Sequence, residues 1–133
     1  MGPIEVVAGI LVCGDLVLLA RRGPGQRHAG FWEFPGGKRE AGESPKECLA
    51  RELNEELGIE GVVGDEVART VYCYEHGAIE LTGYWVRVEE KTVQLRVHDA
   101  VEWVTPERLL DFRLAPADVP VARTVTELMA SVT

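Results

Sequence analysis

The sequence has no long uncharged apolar run, no basic and apolar leader, and no excess of positive charge. It carries 22 acidic and 14 basic residues, which gives a net charge of −8. Nucleic-acid polymers and anionic membranes are themselves negative, so neither is expected to be the main partner of such a chain. We expect a cytoplasmic protein that is neither secreted nor inserted into a membrane.

Cysteine is scarce, and its spacing excludes further classes of protein. Cys13, Cys48 and Cys73 form no CxxC or CxxH pattern, and their number is odd. We therefore expect reduced thiols rather than a disulfide framework or a zinc site. The sequence also lacks internal repeats, low-complexity stretches and a domain linker. Residues 1–133 are predicted to form one domain with a hydrophobic core, as a monomer or a homodimer.

The alternation of apolar runs with turn residues predicts a mixed α/β architecture. The first two β-branched runs, residues 5–12 and 16–20, predict a hairpin with its turn at Gly14. Further strands are predicted at residues 67–74, 78–88 and 101–104, a short helix at residues 105–110 and a terminal helix at residues 121–129. Because strands and helices do not alternate strictly, the pattern favours an α/β sandwich around a mixed sheet.

The clearest local prediction is a helix between residues 44 and 58. Ser44 is a good N-cap, Pro45 suits the first helical position, and Glu47 completes a capping box with Ser44. Gly58 is a natural C-terminal stop. The apolar stripe that predicts the buried face consists of Cys48, Leu49, Leu53 and Leu57.

Another face of this helix is acidic. Glu52, Glu55 and Glu56 stand at i, i+3 and i+4, so their like charges share one face and repel. They also lie toward the C-terminal end, where the helix dipole disfavours negative charge. A solvated helix face is the plain alternative, but a cation that prefers oxygen ligands, such as Mg²⁺, would relieve both penalties. The spacing therefore indicates a carboxylate metal site suited to attack on a phosphate chain.

The segment that contains this helix resembles the signature of Nudix hydrolases, G-x5-E-x7-R-E-U-x-E-E-x-G-U, where U is a bulky aliphatic residue. The fixed positions are matched by Gly37, Glu43, Arg51, Glu52, Leu53, Glu55, Glu56, Gly58 and Ile59. The resemblance extends to the Arg21-Arg22 pair, to WEFPGGK at residues 32–38 and to LAPAD at residues 114–118. These stretches are similar to the MutT branch, which contains 8-oxo-dGTP diphosphatases and CTP pyrophosphohydrolases.

The resemblance implies a Nudix fold, an α/β/α sandwich with a central mixed β-sheet. It implies an enzyme that hydrolyses a nucleoside triphosphate to the monophosphate and pyrophosphate, with Mg²⁺ or Mn²⁺ as cofactor. The partner would be a small nucleotide, either an oxidised one such as 8-oxo-dGTP or a CTP or dCTP derivative. Hydrolysis of ADP-ribose or of a dinucleoside polyphosphate is one alternative, and an inactive nucleotide-sensing module is another.

The same resemblance implies the residues of the catalytic site. Glu43 and Arg51 would form an ion pair that fixes the loop onto the helix, and Glu52 would lie closest to the attacking water. The implied metal ligands are Glu52, Glu55, Glu56 and the carbonyl of Gly36.

Four residues are implied in substrate binding. Arg22 and Lys38 are placed to bind phosphate, and Phe34 would either form a wall of the pocket or belong to the core. Asp118 would either meet the edge of the base or cap the terminal helix. An ionised aspartate only accepts hydrogen bonds, so it could take the amino group of cytosine, or the N1–H and amino group of guanine.

One departure from the family pattern lies in the loop before residues 101–104. Relatives often carry a glutamate directly before a histidine in this loop, and that glutamate helps to bind metal or water. This sequence has Val97, followed by His98 and Asp99. Either the carboxylate is missing or Asp99 replaces it from a shifted loop. His98 could act as a base, but a lone loop histidine is more often solvated.

Overall fold

The computed structural model describes residues 2–130, which contain seven strands, two α-helices and one 3₁₀ helix. The strands are β1 (Ile4–Cys13), β2 (Leu16–Arg21), β3 (Trp32–Glu33), β4 (Gly36–Lys38), β5 (Val62–Tyr74), β6 (Gly77–Arg87) and β7 (Ala100–Val104). The helices are α1 (Pro45–Leu57), the 3₁₀ helix (Pro106–Asp111) and α2 (Asp118–Ala130). Residue 1 and residues 131–133, the ends of the predicted domain, lie outside the described residues.

All seven strands join one mixed sheet with β1 at its centre. The strand order is β3-β2-β1-β6-β5, with β4 paired to β1 and β7 paired to β2. The β1–β6 pair is parallel, and the other pairs are antiparallel. The predicted hairpin of β1 and β2 is therefore present, and the prediction of a central mixed sheet is confirmed.

Alternate residues of β1 send side chains into two separate cores on the two faces of the sheet. Val7 and Leu11 pack with α1, in a cluster that includes Leu53. Ala8 and Ile10 belong to the other cluster, which holds the buried apolar residues of α2. The period-two alternation of a strand thus places one helix on each face, which gives three layers. No helix within residues 2–130 combines the length and the apolarity needed to cross a membrane.

The helix α1 begins and ends as its sequence predicts. The Ser44 hydroxyl accepts from the Glu47 backbone N–H at 3.1 Å, and the Glu47 carboxylate accepts from the Ser44 N–H at 2.8 Å. Gly58 adopts the left-handed conformation at φ 66°, and its N–H bonds to the carbonyl of Asn54. The stripe of Cys48, Leu49, Leu53 and Leu57 is buried. These local signals fix the rotation of the helix and so direct its acidic residues away from the core.

Some boundaries differ from the sequence-based prediction. β5 begins at Val62, five residues earlier than predicted, because bulges between residues 63 and 68 break the apolar alternation that marks a strand. α2 begins at Asp118, three residues earlier than predicted, and carries Pro120 in its first turn, where a proline is tolerated.

The chain bends at Pro35, which separates β3 from β4. Gly36 and Gly37 form strand β4 and pair with Ala8 and Val7 of β1. A Cβ atom on Gly36 would lie 1.9 Å from the Val7 carbonyl oxygen, so only glycine permits this approach. The glycines therefore hold the start of the signature segment directly against the central strand.

Leu53→Ala is expected to destabilise the protein by about 2–5 kcal/mol, because the side chain is fully buried between α1 and the sheet and its loss leaves a cavity. Leu110→Ala is the matched control, since Leu110 is 44% exposed. Urea unfolding followed by circular dichroism measures both. Equal effects of the two substitutions would contradict the placement of Leu53 in the core.

Candidate active site

Arg51 is the centre of an ion-pair cluster on α1. Its Nη2 lies 2.8 Å from Glu43 Oε1, and its Nε donates to Glu43 Oε2 at 3.1 Å. Its Nη1 lies 3.0 Å from Glu52 Oε1 and 3.2 Å from Glu55 Oε2. One guanidinium therefore binds the loop carboxylate and two of the three helix carboxylates at once. The predicted contact between Glu43 and Arg51 is present.

The carboxylate of Glu43 is strongly held in its ionised form. The hydrogen bond from Arg51, followed by one from the backbone N–H of Glu40, lowers the pKa of Glu43 to about 2. Glu40 also approaches the guanidinium, at 3.8 Å, but its side chain is 71% exposed. The loop between β4 and α1 is thus fastened to the helix mainly through Glu43.

Glu52 packs its carboxylate against the backbone of Gly37. A Cβ atom on Gly37 would lie 2.4 Å from the Glu52 Cδ and 2.6 Å from both carboxylate oxygens. Any side chain at position 37 would displace Glu52, so the glycine makes the space in which this carboxylate lies. Strand β4 and the acidic face of α1 therefore meet at Gly37.

Glu56 is the most buried of the three acidic residues on this face, with 12% of its side chain exposed against 17% for Glu52 and 58% for Glu55. Within residues 2–130, its Oε1 atom is buried without a hydrogen-bond partner. Burial, followed by the nearby charges of Glu52 and Glu33, raises the pKa of Glu56 to about 8. A buried carboxylate oxygen in this condition is a strong candidate for a cation ligand.

A chain of polar contacts leads from Glu56 toward the β2–β3 region. His98 Nε2 lies 4.0 Å from Glu56 Oε2 and 2.9 Å from Glu33 Oε2. Arg22 Nη1 binds both oxygens of Glu33, at 3.0 and 3.2 Å, and Arg22 Nε donates to the carbonyl of Arg27. The expectation that His98 is solvated is wrong, since its side chain is 1% exposed. Glu33 holds it inside the site.

Asp99 does not replace the glutamate that relatives often carry at the position of Val97. Its Oδ1 binds Arg21 Nε at 2.8 Å. Val97 is 43% exposed. Of Val97, His98 and Asp99, only His98 therefore points into the protein.

A cleft of about 300 Å³ adjoins this cluster. Its lining includes the predicted substrate-binding residues Arg22, Phe34, Lys38 and Asp118 together with the two glycines of β4. Its apolar part comes from Ile79, Leu81, Val6, Val7, Ala8, Ala115 and Ala117. The structure thus brings all four predicted binding residues to one cleft, which borders the acidic face of α1 at Gly37.

Asp118 lies buried in this cleft, with 7% of its surface exposed. Its Oδ2 accepts a hydrogen bond from the Phe34 backbone N–H at 2.9 Å, so the carboxyl group reaches across to the segment before β4. Burial, followed by the charge of Glu33, raises the pKa of Asp118 to about 8. The neutral acid is therefore favoured at pH 7, and a neutral carboxyl group both donates and accepts, which the sequence-based expectation of an ionised acceptor did not include.

The donor set suits a hard divalent cation, although the side chains are not gathered around one point. In the described part of the chain, no three His, Cys, Asp or Glu side chains converge closely enough to hold one ion, and Glu52 and Glu55 are bound to Arg51. The unpartnered oxygen of Glu56 and the space beside Gly37 fit an oxygen-coordinated cation. Such an ion would compete with Arg51 for two of its ligands.

Comparison with known proteins decides the family. The model of the NUDIX domain matches residues 3–125. The chain belongs to the Nudix hydrolase family. The predicted family, the predicted fold and the expectation of an enzyme are confirmed. Nudix hydrolases generally use divalent metal cations and act on small nucleotide substrates.

Two relatives and one solved structure cover most of this Nudix hydrolase. It is 42% identical over 131 residues to the CTP pyrophosphohydrolase of Escherichia coli K12, which covers 98% of this chain and 97% of that protein. It is 43% identical over 116 residues to the putative 8-oxo-dGTP diphosphatase 2 of Mycobacterium tuberculosis, with 85% and 81% covered. The solution structure of the E. coli ORF135 protein matches with a TM-score of 0.88 at 42% identity, over 98% and 94% of the two chains.

Glu43→Gln is expected to lower the urea midpoint of this Nudix hydrolase most at neutral pH. Because Arg51 lowers the pKa of Glu43 from 4.5 to about 2, the ionised bond stabilises the folded state above pH 4.5 and is lost as the pH falls toward 2. The difference between wild type and variant should therefore shrink across that range. Glu40→Gln is the control, since its contact with Arg51 is long and exposed. A difference that stays constant down to pH 3 would contradict this account.

Proposed function

We propose that this Nudix hydrolase is a nucleoside triphosphate pyrophosphohydrolase that uses Mg²⁺, with Mn²⁺ as a substitute. Water and the triphosphate would give the monophosphate and pyrophosphate. The substrate class is CTP, dCTP derivatives or oxidised deoxynucleotides such as 8-oxo-dGTP. The observation that carries the proposal is the junction at Gly37, where the cleft borders the acidic face of α1.

The cleft has the composition expected of a nucleotide site. Ile79 and the largely buried Phe34 and Leu81 make the lining apolar and aromatic, and Asp118 belongs to the same lining. Lys38 ends β4, next to Gly36 and Gly37, which carry no side chains. A triphosphate that extends from the base toward Gly37 would therefore reach Lys38 and the carboxylates of α1 in turn.

Arg22 would serve both the site and the substrate. It binds Glu33 through Nη1 and the Arg27 carbonyl through Nε. A guanidinium has five N–H donors, so Arg22 can hold Glu33 and still donate to a phosphate oxygen at the cleft.

The acidic face would supply the reacting end. Glu52, Glu55, Glu56 and the Gly36 carbonyl would hold the cation. A bound divalent cation neutralises charge on the leaving pyrophosphate and lowers the pKa of a bound water. Glu52, fixed beside Gly37, would accept the proton of the attacking water. The ion pair of Glu43 and Arg51 would hold the loop against the helix. Because Arg51 also contacts Glu52, this pair would influence the site by keeping Glu52 in position.

The nature of the base depends on Asp118. The two relatives described above are named for different nucleotides, so similarity alone leaves the base open. A neutral Asp118 can present an O–H donor as well as an acceptor, and its Oδ2 is already oriented by the Phe34 N–H. Cytosine and guanine edges both carry donors and acceptors, so either suits such a group. We place Asp118 at the edge of the base.

Glu56→Gln is expected to lower kcat by about 100-fold or more, because the amide neither carries the charge nor binds a cation as a carboxylate does. Glu47→Gln is the matched control, since glutamine also completes a capping box and Glu47 faces Ser44. The assay is pyrophosphate release from a panel of nucleoside triphosphates with Mg²⁺. A wild-type protein that releases no pyrophosphate from any of them would overturn the proposed function.

Asp118→Ala is expected to lower kcat/KM unequally among substrates, by about 5- to 150-fold for the preferred base. Asp118→Asn should retain most of the activity, because a neutral amide also donates, accepts and can bind the Phe34 N–H. The measurement ranks CTP, a 5-substituted dCTP, 8-oxo-dGTP and ADP-ribose by kcat/KM in wild type and both variants. An equal loss for every substrate, or none, would assign Asp118 a structural role.

A further inference from the structure

The C-terminal end of α1 receives its hydrogen-bond partners from a distant loop. The helix has no basic residue in its own last turn. The carbonyls of Leu53 and Asn54 accept from the N–H groups of Ile59 and Gly58 at 3.2 and 3.0 Å. The carbonyls of the next residues must also be satisfied, and a helix end is negative, so a cation is favoured there.

Those partners come from the segment between β6 and β7. The N–H of Gln94 donates to the Leu57 carbonyl at 2.9 Å, and the N–H of Arg96 donates to the Glu56 carbonyl at 3.3 Å. The guanidinium of Arg96 adds a bond from Nη1 to the Asn54 carbonyl at 2.9 Å and another to the Glu55 carbonyl at 3.4 Å. Its Nη2 binds Gln94 Oε1 at 2.7 Å, which holds the loop in one conformation.

The same loop carries His98 into the active site. His98 follows Arg96 by two residues, and its buried ring lies between Glu33 and Glu56. Two residues span at most about 7 Å of chain, so the position of Arg96 strongly limits that of His98. The docked loop and the buried ring are therefore one rigid connection between the end of α1 and the cluster beside the cleft.

We propose that Arg96 is a positioning residue for hydrolysis: by binding the last turn of α1 it fixes His98 against Glu33 and fixes Glu56 in the site. The role rests on the proposed function, because it concerns the carboxylate that would hold the cation. Within residues 2–130, Arg96 neither lines the cleft nor forms an ion pair with an acidic side chain, so it acts through His98 and through the backbone that carries Glu56. A residue that only stabilised the fold would leave kcat unchanged well below the melting temperature.

The test compares Arg96→Ala, Arg96→Lys and the control Arg123→Ala, which removes the same charge from an exposed position on α2, on the opposite face of the sheet. The first readout is the imidazole N–H signal of His98 in proton–nitrogen NMR, assigned among the three histidines by its loss in His98→Asn. The Glu33 carboxylate accepts from this N–H, so wild type should give a slowly exchanging signal. Arg96→Ala should broaden or abolish it, and Arg96→Lys should restore it in part.

The second readout is steady-state kinetics at a temperature where all variants are folded. Arg96→Ala is expected to lower kcat about 10-fold and to change KM less than about twofold. An effect of this size is typical of residues that orient a metal-binding side chain without binding the metal themselves. A wild-type His98 signal with wild-type kcat in Arg96→Ala would overturn the proposal, whatever the melting temperature. If wild type itself hydrolyses no nucleotide, the proposed function fails, and the NMR signal then decides the role of Arg96 alone.

Discussion

The site depends on the repulsion among three carboxylates at the end of one helix. Pairs of like charges at this spacing each cost a few tenths of a kcal/mol, and the helix dipole adds about as much. Arg51 offsets the charges of Glu52 and Glu55 through ion pairs. Arg96 offsets the negative end of the helix dipole by donating to a backbone carbonyl of the last turn. Neither guanidinium reaches the buried Oε1 of Glu56, and the pKa of Glu56 is raised to about 8. The electrostatic cost of the cluster is therefore concentrated at Glu56, and a bound cation would stabilise its ionised form.

Burial acts in the same way on a carboxyl group at the base end of the cleft. Asp118 is buried among apolar groups, and its raised pKa keeps it neutral near pH 7. A neutral carboxyl group avoids repulsion with the phosphates of a bound nucleotide while it still offers a donor and an acceptor. The base end thus presents a neutral polar group, while the phosphate end presents the acidic face of α1. Glu33 lies between the phosphate end and the base end of the cleft, and it forms an ion pair with Arg22.

The parts of the site that sequence could predict are those fixed by near neighbours in the chain. Ser44, Glu47 and Gly58 set the limits and rotation of α1 within fifteen residues, so the acidic face and the Glu43–Arg51 contact follow from the signature segment. Glu33 and Arg96 were missed, and His98 was wrongly expected to be solvated, because their contacts join residues 65 and 42 positions apart. The sequence signal for Glu33 was its charge at a position between two aromatic residues, Trp32 and Phe34. The bulges of β5 were hidden for a related reason, because they depend on pairing with β6 rather than on local pattern.

This division by sequence distance also explains why the reaction is easier to infer than the nucleotide. The carboxylates that act on phosphate lie on one helix and are placed by local capping and an apolar stripe. The cleft that would select the base is assembled from β1, β4, β6 and the start of α2, and its polar contact between Phe34 and Asp118 joins residues 84 positions apart. Substitutions at any of these elements can reshape the cleft while the helix keeps its geometry. Base preference can therefore change among proteins that keep the same signature, and it must be read from the cleft.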